Sequence, residues 1–273
     1  MLNKNVAILA IILVSIFAIS SVNAVNMITQ DDSMHQVSLM QSFMHGAYDG
    51  VISVGELKSN GDTGLGTFEG VNGEMIVLDG VVYQAKADGS VNVMNDYEKV
   101  PFATVTHFDN DATINDISAK NFDDLTGKLD KEIEKLGKNN MYVVKIKCEC
   151  SNITVRSVEK QEKPYKEFTE VAAVDQKVFN YTNQSGTLIA IYFPEFMNEL
   201  NMHGWHIHFI NDAKDKGGHV LGLTMENGYG EVDEIHDFDM KLPNTDTFKN
   251  MNFSENMTQK ISSVELIYLR NIM

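Results

Sequence analysis

An α/β (α+β) fold, organised as two domains on mixed and antiparallel β-sheets with a few flanking helices, is what this 273-residue sequence predicts. Three observations predict it. Short β-rich runs between residues 67 and 94 are separated by Asn72-Gly73, Asp79-Gly80 and Asp88-Gly89, dipeptides that supply the positive φ angles tight hairpins require. One stretch, Phe122 to Leu136, has apolar residues recurring at three and four, the spacing of an amphipathic helix. Most of the remaining chain consists of short alternating or apolar runs with turn residues between them, as strands do.

Residues 1–24, "MLNKNVAILAIILVSIFAISSVNA", combine Lys4, an apolar run from Val6 to Ile19 and small residues before Ala24. This reads as a secretory signal peptide. The run falls short of the ~20 apolar residues that a membrane span needs. The mature chain is therefore expected to be soluble and exported, either secreted or periplasmic. Removing the signal takes away Lys4 and leaves 21 basic against 38 acidic side chains. A surface so acidic repels phosphate backbones and excludes nucleic acid as a partner.

The N-terminal α/β domain is assigned residues 25–162. "SLMQSFMHGAYDG" places Leu39, Met40 and Phe43 at helical spacing and stops at Gly46, predicting a short helix. The meander of antiparallel strands follows. Leu125, Leu129 and Ile133 then mark the apolar face of the second helix, which Gly137 closes. A strand pair is expected through "MYVVKIKCEC" and "ITVRSVEK", with Cys148 and Cys150 on one strand face. Two cysteines at that spacing make a strained disulfide and cannot complete a cysteine-based zinc site. The charged break "QEKPYKEF" marks the join. Residues 163–273 form the second, mainly β domain, through "GTLIAIYFP", "GWHIHFI", "GHVLGLTME" and "YGEVDEIHDFDM", with an irregular tail after Pro243.

That second domain carries four of the eight histidines between residues 203 and 222. On a strand, positions two apart share a face, so His206 and His208 point one way while Trp205, Ile207 and Phe209 point the other. If "NDAKDKGG" turns symmetrically, position 208 pairs across from 219, and directly opposed β-carbons lie only ~5 Å apart. Three imidazoles on one side of a hairpin match a three-ligand metal site with positions left for water or substrate. His203 has the opposite parity, and His35, His45, His107 and His236 have no comparable company.

With these residues in view, the chain resembles the α-acetolactate decarboxylases. The resemblance spans nearly the whole mature sequence through "GTFEGVNGEMIVLDGVVYQAKADGSV", "PFATVTHF", "VRSVEKQEKPY", "GWHIHFI", "GGHV" and "LPNTDTF", in that order. It implies two α/β domains, a homodimer, and conversion of 2-acetolactate to acetoin and carbon dioxide at a zinc ion, with no organic cofactor. It places the zinc ligands on His206, His208 and His219, the three that the hairpin argument selects. It also implies a substrate-facing acid at Glu74, a substrate-binding arginine at Arg156, a pocket threonine at Thr67, and a second acid at Glu265, with Glu255 as the alternative.

Arg156 has an argument of its own. The chain has twenty lysines and two arginines, and a planar two-pronged donor suits a carboxylate-bearing substrate. In the chemistry so implied, the metal stabilises the enediolate left by decarboxylation, Arg156 holds the carboxylate, and Glu265 or Glu74 delivers the proton. The residues alone leave two other readings open. One is a secreted three-histidine zinc hydrolase, weakened by the lack of His-Glu-x-x-His, and the other is a zinc-binding module without turnover. A cupin-like oxygenase would need a carboxylate shortly after the His-x-His, where Asn211 and Asp212 begin the turn instead.

Overall fold

The computed structural model describes residues 32–198 and 200–254; the signal segment 1–24, Glu255 and Glu265 lie outside the described residues. The described residues open with β1 (Ser33–Val37), α1 (Met40–Met44), β2 (Ile52–Ser53), α2 (Val54–Lys58), β3 (Thr63–Thr67), β4 (Glu74–Leu78) and β5 (Val81–Ala85). It continues through β6 (Val91–Val93), β7 (Lys99–Val100), β8 (Phe102–Thr106), β9 (Ala112–Ile114), α3 (Phe122–Leu136) and β10 (Met141–Val158). Next come α4 (Phe168–Val174), β11 (Gln176–Phe193), β12 (Gly204–Asn211), β13 (Gly217–Ile235), β14 (Asp237–Lys241) and α5 (Asp246–Lys249). The mixed α+β class that the turns and periodicities predict is the one observed.

Two sheets carry most of these strands. The first has seven strands in the order β14-β1-β8-β3-β4-β5-β6; all its pairings are antiparallel except β1 with β14. The expected meander forms its centre. Between β4 and β5 the turn residues Asp79 and Gly80 both have positive φ, 50° and 76°, as a two-residue hairpin matched to strand twist requires. The second sheet runs β10-β11-β12-β13-β9, and β10 also pairs with β13, so four strands close into a circuit. The charged stretch near residues 160–167 lies between β10 and β11, which are hydrogen-bonded to each other along their lengths.

Where two short strands were expected on either side of residue 151, β10 is one continuous strand, and β13 likewise absorbs "GHVLGLTME" and "YGEVDEI", while Asp237 and Phe238 begin β14. Polar and glycine residues suggested breaks, but β-bulges accommodate them: the β10–β13 register shifts three times without ending the ladder.

Alternation on the second sheet places the core. Trp205, Ile207 and Phe209 join Tyr142, Val144 and Ile146 on one face, beneath Leu125, Leu129 and Ile133 of α3. That helix spans the range its spacing predicts. Asn121 caps it, accepting from the Asp124 amide at 2.8 Å, and Asp123, Asp124 and Lys135 carry charges that suit its dipole. Each fully buried leucine on it contributes about 2–3 kcal/mol relative to exposure. On the opposite face, Val143, Ile189, Ile191 and Ile210 pack against Leu65, Ile76 and Leu78 of the first sheet. Side chains at even positions of β12 therefore point between the sheets, toward the region where the candidate site lies.

Candidate active site

The turn after β12 brings His208 directly opposite His219, followed by Phe209 opposite Gly218 and Ile210 opposite Gly217. This is the register that a symmetric reversal predicts. His206 sits two residues earlier on the same face. Its Nε2 lies 3.1 Å from His208 Nε2 and 3.0 Å from His219 Nδ1, and the ring centroids are 4.9 to 5.3 Å apart. The three candidate ligand atoms all lie within 4.8 Å of one another, the one such group of three or more among the described residues. Four donors around zinc at about 2.0–2.1 Å stand roughly 3.3 Å apart, so the imidazoles suit a divalent ion of that size.

The environment holds these rings in the ligating form. His208 is fully buried, and its Nδ1 donates to the Met75 carbonyl at 2.8 Å. That bond fixes the tautomer and leaves Nε2 as the lone-pair donor. Burial first, and then His206 and His219, hold the His208 pKa well below the ordinary imidazole value, so the ring stays neutral and able to coordinate.

Around the imidazoles are three more of the residues singled out in the sequence. Arg156 on β10 stands opposite His219 across the ladder and is 4% exposed. Glu74 opens β4, is also buried, and brings Oε2 within 3.6 Å of His208 Nε2. Thr67 pairs with Glu74 across β3 and β4 and donates from Oγ1 to the Gly73 carbonyl at 2.7 Å. Thr67, Glu74, Arg156, His206 and His219 line one cavity of about 50 Å³. His203, as its parity implied, lies apart, with Nδ1 3.4 Å from Asn198 Oδ1.

The rest of the cavity wall is apolar: Met40, Phe43, Met44, Val71, Phe102, Phe168 and Met202. Sequence reasoning missed this wall. Met40 and Phe43 were legible as one face of a short helix, but nothing local says that α1 and α4 meet over the imidazoles. The tail approaches this wall, where Gln41 Nε2 on α1 donates to the Phe253 carbonyl at 3.3 Å.

Three converging imidazoles beside a buried arginine and glutamate, in a cavity sized for a small molecule, define the site of a metal-capable enzyme. The family model described as alpha-acetolactate decarboxylase matches residues 34–255, and the chain belongs to that family of carboxy-lyases. It is 39% identical over 234 residues to an alpha-acetolactate decarboxylase from Methanosarcina mazei, covering 86% of this chain and 80% of the relative. It is 35% identical over 232 residues to one from Brevibacillus brevis, covering 85% and 80%. The crystal structure of the alpha-acetolactate decarboxylase from Bacillus subtilis strain 168 superimposes with a TM-score of 0.80 at 30% identity, covering 85% of this chain and 99% of that one.

Proposed function

We propose that the protein decarboxylates 2-acetolactate to acetoin and carbon dioxide with the help of a divalent ion, zinc by ligand type, held by His206 Nε2, His208 Nε2 and His219 Nδ1. The observation that carries this reading is the meeting of those three nitrogens with buried Arg156 and Glu74 in one small cavity. When bound, the ion supplies Lewis acidity that neutralises the charge left on the substrate's oxygens as carbon dioxide departs. No organic cofactor is needed.

The chain's own residues account for the other requirements. Arg156 offers a fixed fork of N–H donors to the substrate carboxylate and so selects and orients an acid. Its hold must not favour the ground state so strongly that the gain is cancelled. The methionine and phenylalanine wall takes the substrate's methyl groups and excludes water, which strengthens the electrostatic interactions inside. Glu74 stands where it can carry a proton to one face of the product. Glu265, the second acid, would share or assume that task, and Thr67 orients the strand pair that carries Glu74.

The test is to incubate the purified protein with racemic acetolactate and measure acetoin. Acetoin formation abolished by a chelator and restored by zinc supports the reading. Full metal content with no turnover would point to a binding module, and ester hydrolysis without decarboxylation to a hydrolase. We further propose export through residues 1–24 and a homodimer. N-terminal sequencing of the exported chain and light scattering check these two proposals.

A further inference from the structure

Farther along the same two strands, β10 and β13 bring together a second set of donor atoms that the decarboxylation chemistry does not use. Cys148 and Cys150 are both free, 5% and 2% exposed, with sulfurs 3.8 Å apart. Across the ladder, Cys150 stands opposite Met225, which is 2% exposed, and Cys148 stands opposite Gly228. The Met225 sulfur lies 3.1 Å from the point where a Cβ on Gly228 would sit. The thioether therefore takes the place that a side chain at position 228, directly across the ladder from Cys148, would otherwise occupy. On its other flank Cys148 meets Gly186, again without a side chain.

Two of the three register shifts in the ladder fall on either side of the Cys150–Met225 pair. Register passes from Glu149–Asn227 to Cys150–Met225 and then to Asn152–Thr224, so Glu226 is extra on one strand and Ser151 on the other. Ser151 Oγ donates to Glu226 Oε1 at 2.6 Å and joins the two bulges. Paired, compensating bulges on either side of one residue pair are the kind of device that re-aims side chains at functional sites. A cavity of about 360 Å³, lined in part by Cys148, Gly186, Gly228 and Asp116, gives access from solvent.

We propose that Cys148, Cys150 and Met225 form a binding site for a monovalent soft cation of the copper(I) or silver(I) class, held by two thiolates and one thioether. Soft sulfur donors select such ions, whereas the imidazoles between the sheets suit borderline ions such as zinc. Binding displaces the two thiol protons to solvent and leaves a bis-thiolate unit with a net charge of −1; no electron changes hands. Two cysteines that merely filled the core would need neither the bulges nor a third sulfur.

The test is an anaerobic titration of the reduced full-length protein with copper(I) against a chromogenic copper(I) chelator. One tightly held copper(I) per chain is expected, with near-ultraviolet thiolate-to-copper absorption. The band should vanish in Cys148→Ser/Cys150→Ser and persist in His208→Ala, which separates this site from the imidazoles. Met225→Leu conserves volume and should keep the band while weakening affinity at least tenfold. The proposal is overturned if wild type binds copper(I) no more tightly than the double variant, if the band survives that variant, or if the purified protein carries a Cys148–Cys150 disulfide. Should the double variant fail to fold, silver(I) protection of the wild-type thiols against alkylation is the readout. Protection by one equivalent supports the site, and its absence overturns it.

Discussion

The last pairs of the β10–β13 ladder and its middle are built from the same kind of backbone yet gather opposite kinds of donor. At one end, Arg156 and His219 face each other and open into a cavity that also receives Glu74 from the other sheet. There, polar contacts from outside the ladder orient the donors: the Met75 carbonyl reads the far nitrogen of His208. Nearer the middle, Cys148, Cys150 and Met225 belong to the apolar core that packs under α3. Position there depends on bulges, with the Cys148 thiol donating weakly to the Gly186 carbonyl on β11 at 3.7 Å. The difference shows that a regular hairpin suffices to aim imidazoles, because adjacent cross-strand positions already put three ring nitrogens near one point. Bringing a thioether to a thiol pair takes a local distortion of the ladder.

The first way to break this comparison is at its nitrogen end. His208→Ala removes a ligand that is itself fixed by a backbone bond, so metal content and acetoin formation should fall together, the rate by at least about a thousandfold, or ~4 kcal/mol of transition-state stabilisation. Metal analysis beside a turnover assay measures both. A variant that keeps its turnover without metal would refute the assignment. Cys148→Ser/Cys150→Ser, by contrast, should leave turnover within about twofold of wild type, since the two ends share no reacting atoms.

Arg156→Lys sharpens the same contrast with a smaller effect. Lysine keeps the charge but loses the fork, so kcat/KM should drop about a hundredfold, near 2.7 kcal/mol, with metal content unchanged. An unaltered kcat/KM would mean that the guanidinium does not meet the carboxylate. Third in size, Gly186→Ala tests the flank of the sulfur end. An added Cβ would stand 2.4 Å from the Ile210 carbonyl oxygen and 2.6 Å from Phe209 Cε2, a clash with backbone that costs about 2 kcal/mol. The melting temperature should fall by roughly 4–8 °C for a chain of this size, while turnover per folded molecule stays the same. A normal melt would show that the strand can shift aside.

How far each end could be read in the sequence follows from the range of the contacts that make it. The three histidines lie within one hairpin, so alternation and turn symmetry alone set His208 against His219. The α3 helix was legible for the same reason, its face being set by local periodicity. Glu74 and Thr67 had no local signal of their own, and only resemblance to the family marked them. Burial beside His208 depends on two sheets packing face to face. Cys148 and Cys150 were readable as neighbours on a strand, but Met225 was not. Its place beside them requires long-range pairing of β10 with β13 and two bulges that no short window encodes.

Asp233 carries the smallest expected effect and shows what happens when a buried carboxyl on β13 has no counter-charge. It is 1% exposed; its Oδ2 accepts from the Asp109 amide at 3.2 Å, and Oδ1 has no partner among the described residues. Burial, above all, and then the nearby Asp111, Asp109 and Asp32 push its pKa up to about 7, against the backbone hydrogen bond that lowers it. The folded state therefore holds this proton more tightly than the unfolded one, and the group's contribution to stability is whole below about pH 4. It is lost progressively as pH climbs to about 7 and stays lost above that. The full shift corresponds to about 4 kcal/mol, and screening by solvent around exposed Asp111 brings the expected effect to about 1–2 kcal/mol. Asp233→Asn removes the charge without changing shape, so it should melt higher than wild type at pH 8 and together with it at pH 4. Melts at pH 4, 6 and 8 measure this; an advantage of equal size at every pH would mean that the carboxyl is ionised and solvated throughout.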